Sequence, residues 1–102
     1  MWIKTQDKKK LINVDLTSEI ICRVKNEYDK NNRLKVGERA NEGEFNVEAA
    51  VIGLNGLAEL GTYKDKDSAE RVLKSIYFCM THFDKNGVPY SGFNMPQYEE
   101  VR

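Results

Sequence analysis

Apolar and polar residues alternate along residues 20–28, so that apolar side chains fall on one face and charged ones on the other. This alternation is typical of a half-buried β-strand. Residues 34–36 are predicted to return beside this strand as a short antiparallel partner, because the intervening Asp, Lys and Asn residues favour a turn. Shorter apolar runs at residues 1–6 and 11–14 predict an opening hairpin.

A second hairpin is predicted over residues 45–63, where two apolar runs flank the dipeptide Asn55-Gly56. This dipeptide favours the positive φ angles of a type I′ turn, which joins antiparallel strands through two residues. Such a turn pairs Leu54 with Leu57. The face of this hairpin that is expected to join the core carries Phe45, Val47, Ala49, Val51 and Leu60.

One helix is predicted from Ser68 to Asp84. Asp67 and Glu70 have the spacing of an N-cap residue and its N3 partner, and Gly87 is typical of the segment that follows a helix. Apolar residues recur at intervals of three and four and form one stripe, made up of Ala69, Val72, Leu73, Ile76, Met80 and Phe83.

These elements predict an α+β fold in a single domain that spans residues 1–102. The strands are expected to form a curled antiparallel β-sheet of four to six strands. The helix of the C-terminal half is expected to pack on the concave face of that sheet, because each element has one apolar face to bury.

The predicted helix is apolar on nearly all sides between Ile76 and Met80. One sheet face cannot cover both sides of the helix, so a second cover is expected. Residues 88–93 offer one cover as a C-terminal strand, and a homodimer contact through Phe78 and Cys79 offers another. The sequence leaves both possibilities open.

Sixteen basic and sixteen acidic side chains give no net charge, but the first 40 residues carry ten Lys or Arg against six Asp or Glu. The predicted hairpin within this part gathers basic side chains on its outward face, and Tyr28 adds a surface on which a base can stack. The predicted ligand-binding residues are Arg23, Lys25, Tyr28, Arg33, Lys35 and Arg39. An ordinary solvated sheet face is the alternative interpretation.

Such a surface suits a small phosphate-bearing ligand or a nucleic acid strand. Duplex DNA is not the expected ligand, because the chain is neutral overall and contains no recognition-helix motif.

The sequence argues against an enzyme, because nucleophilic and acid–base catalysis need a base held against a reactive group. His82 is the only imidazole, and Cys79 three residues before it has no third group to orient the pair. Cys22 and Cys79 have neither metal-site nor redox-motif spacing and are expected to be reduced thiols. We therefore expect no catalytic residues, no metal and no cofactor.

A membrane span is not expected, because no apolar run approaches the roughly 18 residues that crossing a bilayer requires. Residues 1–10 lack the apolar run and cleavage site of a signal peptide. The expected location is the cytoplasm.

Several short pieces of the sequence are similar to a known group of proteins. They are Met1–Asp7, Leu11–Val14, Leu60–Tyr63, Ala69–Leu73 and Met95-Pro96. In this order along the chain, they resemble a family of short uncharacterised proteins from phages and mobile elements of Gram-positive bacteria. The resemblance implies a phage or prophage accessory protein that acts in the cytoplasm of the host cell.

Small non-enzymatic proteins from such sources often resemble inhibitors of bacterial defence, which implies an anti-defence binding protein here. Its partner is expected to be a nucleotide-derived immune signal, sequestered in an oligomeric pocket, because the basic residues concentrate on one hairpin. The alternatives are a protein inhibitor of a defence effector such as a CRISPR nuclease (an anti-CRISPR) and a nucleic-acid-binding accessory protein.

Overall fold

A computed structural model describes residues 1–101 of the chain and contains two three-stranded β-sheets and one α-helix in that part. In chain order the elements are β1 (Trp2–Lys4), β2 (Leu11–Asn13), β3 (Thr17–Val24), β4 (Phe45–Val51), β5 (Ala58–Tyr63), α1 (Lys66–Thr81) and β6 (Gly92–Asn94). The larger sheet has the antiparallel order β3-β4-β5. In the smaller sheet, of order β2-β1-β6, β1 pairs antiparallel with β2 and parallel with β6.

The predicted α+β class, with one helix packed on an antiparallel sheet, is confirmed. Its six strands divide between the two sheets rather than forming one. The apolar faces of β4, β5 and α1 meet in the core, and Ile20, Cys22 and Val24 of β3 pack against it at the side. The buried apolar residues are Ile3, Val14, Phe45, Val47, Ala49, Leu60, Tyr63, Ala69, Val72, Ile76 and Met95.

Helix α1 begins and ends earlier than the sequence predicted. Asp65, not Asp67, is the N-cap, and its carboxylate accepts a hydrogen bond from the Ser68 backbone N–H at 2.8 Å. At the other end the helix stops at Thr81. Asp84 lies outside it, because its carboxylate accepts backbone hydrogen bonds from residues 86 and 88 and starts a turn instead.

The predicted register of the second hairpin is wrong. Phe45 pairs with Tyr63, and Leu60 forms a bulge, so residues 52–57 make a six-residue connection. Asn55 does not have a positive φ, whereas Gly53 has a φ of 86° in a turn that closes where the Leu54 N–H donates to Val51 O. The type I′ turn is lost because β4 continues along β3 past the start of β5, and Ile52 donates its N–H to Leu16 O.

Residues 34–36 were predicted to form a strand beside residues 20–28. In the structure, this pairing is reduced to one isolated bridge between Tyr28 and Leu34. Residues 25–44 instead form a long excursion between β3 and β4, which includes a 3₁₀ turn at Gly37–Asn41. Leu34 and Val36 are more than half exposed, so this segment has no apolar face to hold it on the sheet as a regular strand.

Gln6 joins the two sheets and the C-terminal tail. Its backbone N–H donates to Leu60 O, and its side-chain amide donates to Thr62 O and Pro96 O and accepts from the Thr62 N–H. Gln97 donates its side-chain N–H to Gln6 O, and the Tyr63 hydroxyl donates to Pro96 O at 2.8 Å. We call this cluster the Gln6 junction.

Candidate binding surfaces

Three basic residues of β3 and the following excursion lie beside acidic partners. Arg23 Nε is 2.9 Å from a Glu48 carboxylate oxygen, and Arg39 is 3.0 Å from Asp29. The Lys25 ammonium lies 3.8 Å from Glu44. These three cations are therefore partly neutralised within the chain, and an anionic ligand must compete with the carboxylates for them.

Glu48 explains the position of Arg23. Its carboxylate lies on the outer face of β4 and is buried with the polar side chains of Asn46 and Thr62. The Oε1 atom of Glu48 receives no hydrogen bond of good geometry among residues 1–101, although Arg23 Nε is close. A buried carboxylate needs a compensating charge, so Arg23 is committed to Glu48.

The structure brings three of the six predicted ligand-binding residues together. Tyr28, Lys35 and Arg39 line a shallow depression of about 380 Å³ in the excursion. Asp29 and Glu42 line it too, and Lys35 Nζ donates to Glu42 O at 3.2 Å. The backbone N–H groups of residues 33 and 31 and the Arg39 guanidinium hold the pKa of Asp29 below its usual value, so the depression also contains a firmly ionised carboxylate.

The other predicted ligand-binding residues lie elsewhere. Arg23 is in β3, and Lys25 follows it, with its N–H bonded to Glu44 O. Arg33 is in the turn opposite Asp29, where its C=O accepts from the Asp29 N–H and its own N–H donates to the Asp29 carboxylate. None of these three lines the depression.

A groove runs between α1 and β3. It has a volume of about 480 Å³, and its lining is mainly apolar. Leu73, Tyr77 and Met80 of α1 face residues 17–20 of β3 across it. Tyr77 is 66% exposed and Met80 is 50% exposed, although the sequence placed Met80 in the core stripe.

Four rings gather around the C-terminal end of α1. Phe78 stacks on His82 with ring centroids 4.1 Å apart, and Tyr90 lies 6.5 Å from Phe78. His82, Tyr90 and Phe83 line a cavity of about 370 Å³, together with Cys79. We call Phe78, His82, Phe83 and Tyr90 the aromatic corner.

This corner includes one of the two residues predicted at an interface and lies against the other. Phe78 is 49% exposed, and Cys79 is half-buried in the adjoining cavity. Sequence reasoning missed Phe83 and Tyr90. Phe83 fitted the apolar stripe, but it lies beyond the end of α1 and is 65% exposed. Tyr90 gave no signal, because only the fold brings it beside Phe78.

His82 and Cys22 are both constrained by their surroundings. His82 Nδ1 lies 3.1 Å from Phe78 O and 2.9 Å from the Thr81 hydroxyl, so this nitrogen is engaged at the helix end. Burial, with a smaller contribution from the Glu70 carboxylate, raises the pKa of the Cys22 thiol to about 11, which disfavours the reactive thiolate.

Within residues 1–101 no group of three or more His, Cys, Asp and Glu is arranged to hold a metal ion. In the same residues, α1 has neither the length nor the apolar content to cross a membrane.

The sequence pieces on which the expected resemblance to phage proteins was based have structural roles here. Thr5–Asp7, Leu60–Tyr63 and Met95-Pro96 meet at or beside the Gln6 junction. In the structure, they help to hold the two sheets together. No protein-family model, curated protein or solved structure matches this chain.

Proposed function

We propose that this protein is a non-enzymatic binding protein and that the aromatic corner is its contact surface for another protein. The observation that carries the proposal is the exposure of two phenylalanines, Phe78 and Phe83, beside two further rings. Aromatic side chains bury a large area at a small cost in conformational entropy and dominate the binding energy of many protein interfaces.

The partner in this proposal is a defence protein of the bacterial host, as the resemblance to phage proteins implies. A contact of this kind inhibits by covering the surface that the effector uses. A specific interface buries about 800 Å² on each partner, so residues next to the corner must take part. Trp2 and Val88 are about half exposed, and the Trp2 N–H donates to Ser91 O one residue after Tyr90.

Sequestration of a nucleotide-derived signal is the second candidate. It is supported by the shared depression of Tyr28, Lys35 and Arg39, which combines a ring with two cations. It ranks second because Asp29 and Glu42 lie in the same depression and repel phosphate groups.

Phage plating on strains that each carry one defence system tests the proposal. Expression of the protein is expected to restore plaques on at least one strain. Phe83→Asp is expected to abolish this effect, because it places a charge in the buried centre of the contact. Ile52→Asp is the matched control, since Ile52 is also exposed but lies in the connection between β4 and β5.

Purified components then separate the candidates. A protein inhibitor is expected to co-elute with the effector in a fixed stoichiometry and to lose this binding in Phe83→Asp. Retention of activity in Phe83→Asp with loss in Arg39→Glu supports sequestration instead. Full inhibition at a small fraction of the effector concentration contradicts a non-enzymatic mechanism, and a panel on which no strain responds contradicts the anti-defence role.

A further inference from the structure

Strand β3 is at the edge of the larger sheet and has one side without a partner among residues 1–101. The N–H of Lys25 donates to Glu44 O, which fixes the alternation of backbone groups along the strand. Glu19, Ile21 and Arg23 therefore direct their N–H and C=O groups towards β4, whereas Ile20 and Cys22 direct theirs outward. These unpaired donors and acceptors form a template for one more strand.

The α1–β3 groove lies along the same edge. Leu73, Tyr77 and Met80 line the groove beside residues 17–20 of this strand, and Tyr77 and Met80 keep exposed apolar surface there. The edge supplies hydrogen bonds and the groove supplies apolar contact, which are the two requirements of a stable β-sheet interface.

We propose that a second copy of this chain occupies this edge, with the two β3 strands antiparallel and the two-fold axis at Ile21. In this register Ile21 faces Ile21 of the second copy, and Glu19 faces Arg23 in both directions. Arg23 stays on Glu48 of its own chain, but its side chain is 53% exposed, so the Glu19 carboxylate of the other copy can approach the same guanidinium and favour this register. Ile20 and Cys22 of the two copies then exchange backbone hydrogen bonds.

Neighbouring registers are less favourable. If the axis lies between two residues, each residue whose N–H and C=O point out of the sheet is opposite one whose groups point towards β4. The hydrogen bonds between the two strands then cannot form. Centring the pair on Cys22 places Ile21 opposite the Arg23 guanidinium, and centring it on Ile20 places Ile21 opposite the Glu19 carboxylate. Of these registers, only the one with its axis at Ile21 places the two Ile21 side chains opposite each other and Glu19 opposite Arg23 on either side.

The proposed dimer also covers the groove. A two-fold axis perpendicular to a continuous six-stranded sheet keeps both α1 helices on the same face. Residues 22 and 23 of one copy then lie opposite residues 20 and 19 of the other, beside the groove that Tyr77 and Met80 line. The cavity at the aromatic corner shares Val14 and Met80 with the groove, so the two surfaces adjoin at the C-terminal end of α1. The dimer is argued from the edge of β3 and does not depend on the proposed function.

Sedimentation of the full chain is the first test. The wild type is expected to sediment as a dimer, at twice the 11.8 kDa chain mass, at concentrations of tens of micromolar. Ile21→Lys is expected to sediment as a monomer, because it places two ammonium groups together on the axis. Ile52→Lys introduces the same charge on an exposed apolar residue outside β3 and is expected to remain dimeric.

Disulfide cross-linking tests the register and does not depend on disrupting the dimer. Cys22→Ser and Cys79→Ser remove the native thiols, and Ile21→Cys then places two thiols face to face in a non-hydrogen-bonded pair. Such pairs have Cα atoms about 4.5 Å apart, within the range that a disulfide spans. Oxidised glutathione, which accepts the two electrons, is expected to link this variant quantitatively, whereas Glu19→Cys in the same background stays largely unlinked.

A wild-type chain that is monomeric at these concentrations overturns the proposal. The proposal is also overturned if Ile21→Lys remains dimeric and Cys at position 21 forms disulfides no faster than Cys at position 19. Another surface then holds the two copies together.

Discussion

At the residue scale, the start of α1 depends on one carboxylate. Asp65 has extended backbone angles and accepts the Ser68 N–H, while Asp67 lies inside the first turn. Both residues have suitable chemistry for a cap. The choice follows from β5, which ends at the buried Tyr63 and leaves only Lys64 before the cap. The sequence identified the correct kind of residue but had no information on where β5 ends.

Replacing Asp65 by Ala is therefore expected to lower the melting temperature by about 4–8 °C at neutral pH. Asp67→Ala is the matched control and is expected to cost much less, because it removes only a favourable charge near the helix N-terminus. Differential scanning calorimetry on both variants gives the comparison. An equal loss in the two variants would contradict Asp65 as the cap.

The same carboxylate gives a pH dependence. Hydrogen bonds from Ser68 lower the pKa of Asp65 below its value of 3.8 in an unfolded chain. Because the folded-state pKa is the lower one, the stabilisation is complete above the unfolded value and is lost as the pH falls through the folded value. The difference in melting temperature between wild type and Asp65→Ala is expected to be constant from neutral pH to about pH 5 and to shrink below about pH 4. A difference that does not shrink as the pH falls below about 4 would contradict this explanation.

At the scale of elements, the connection between β4 and β5 depends on Gly53 and not on Asn55. Gly53 has a φ of 86°, a conformation that costs an L-residue with a side chain about 1–2 kcal/mol. Gly53→Ala is expected to reduce the free energy of unfolding by about that amount, and Asn55→Ala is expected to leave it nearly unchanged. Urea denaturation of the two variants tests this, and a larger effect at Asn55 would favour the type I′ turn.

The alternation in β3 and β4 could be predicted because it is a property of a single strand. Ile20, Cys22 and Val24 do face the core, and Phe45, Val47 and Ala49 are buried. The register could not be predicted, because it depends on the bulge at Leu60 and on how far β4 follows β3. The burial of the polar outer face of β4 could not be predicted from the sequence either. Glu48 is buried only because Asn46, Thr62 and Arg23 surround it in the folded sheet.

The candidate surfaces also divide into features that depend on one element and features that depend on how several elements are arranged. Phe78 and Cys79 are predicted at an interface because a helix that is apolar on nearly all sides needs a second cover, and this reasoning uses one element. The six predicted ligand-binding residues, one in β3 and five in the excursion, are grouped in the sequence on the assumption of a regular hairpin. Only Tyr28, Lys35 and Arg39 share a depression, because the segment has one isolated bridge in place of a ladder and its cations lie beside acids.

At the scale of the whole molecule, the Gln6 junction holds together parts of the chain that are far apart in sequence. Its hydrogen bonds join Gln6 to Thr62 and to Pro96, which are 56 and 90 residues away. Local patterns contain no trace of contacts at such separations, so the division into two sheets and the parallel pairing of β1 with β6 could not be predicted.

The junction predicts how the two sheets depend on each other. The Gln6 side chain makes three hydrogen bonds, of 2.9, 3.2 and 3.0 Å, and each contributes about 1 kcal/mol net. Gln6→Ala is therefore expected to reduce the free energy of unfolding by about 3 kcal/mol, whereas Gln97→Ala, which removes one hydrogen bond, costs about 1 kcal/mol.

Gln6→Glu distinguishes the hydrogen bonds from packing, because it keeps the shape of the side chain but turns the donor into an acceptor that faces Thr62 O and Pro96 O. It is expected to destabilise the protein at least as much as Gln6→Ala, since two acceptors then oppose a carboxylate in a partly buried place. Urea denaturation followed by Trp2 fluorescence and by far-ultraviolet circular dichroism measures both variants. Trp2 lies in the smaller sheet, so an earlier fluorescence transition in Gln6→Glu shows that this sheet has separated from the larger one. Coincident transitions with an unchanged midpoint would mean that the contacts of Ile3 and Met95 in the core hold the sheets together without Gln6.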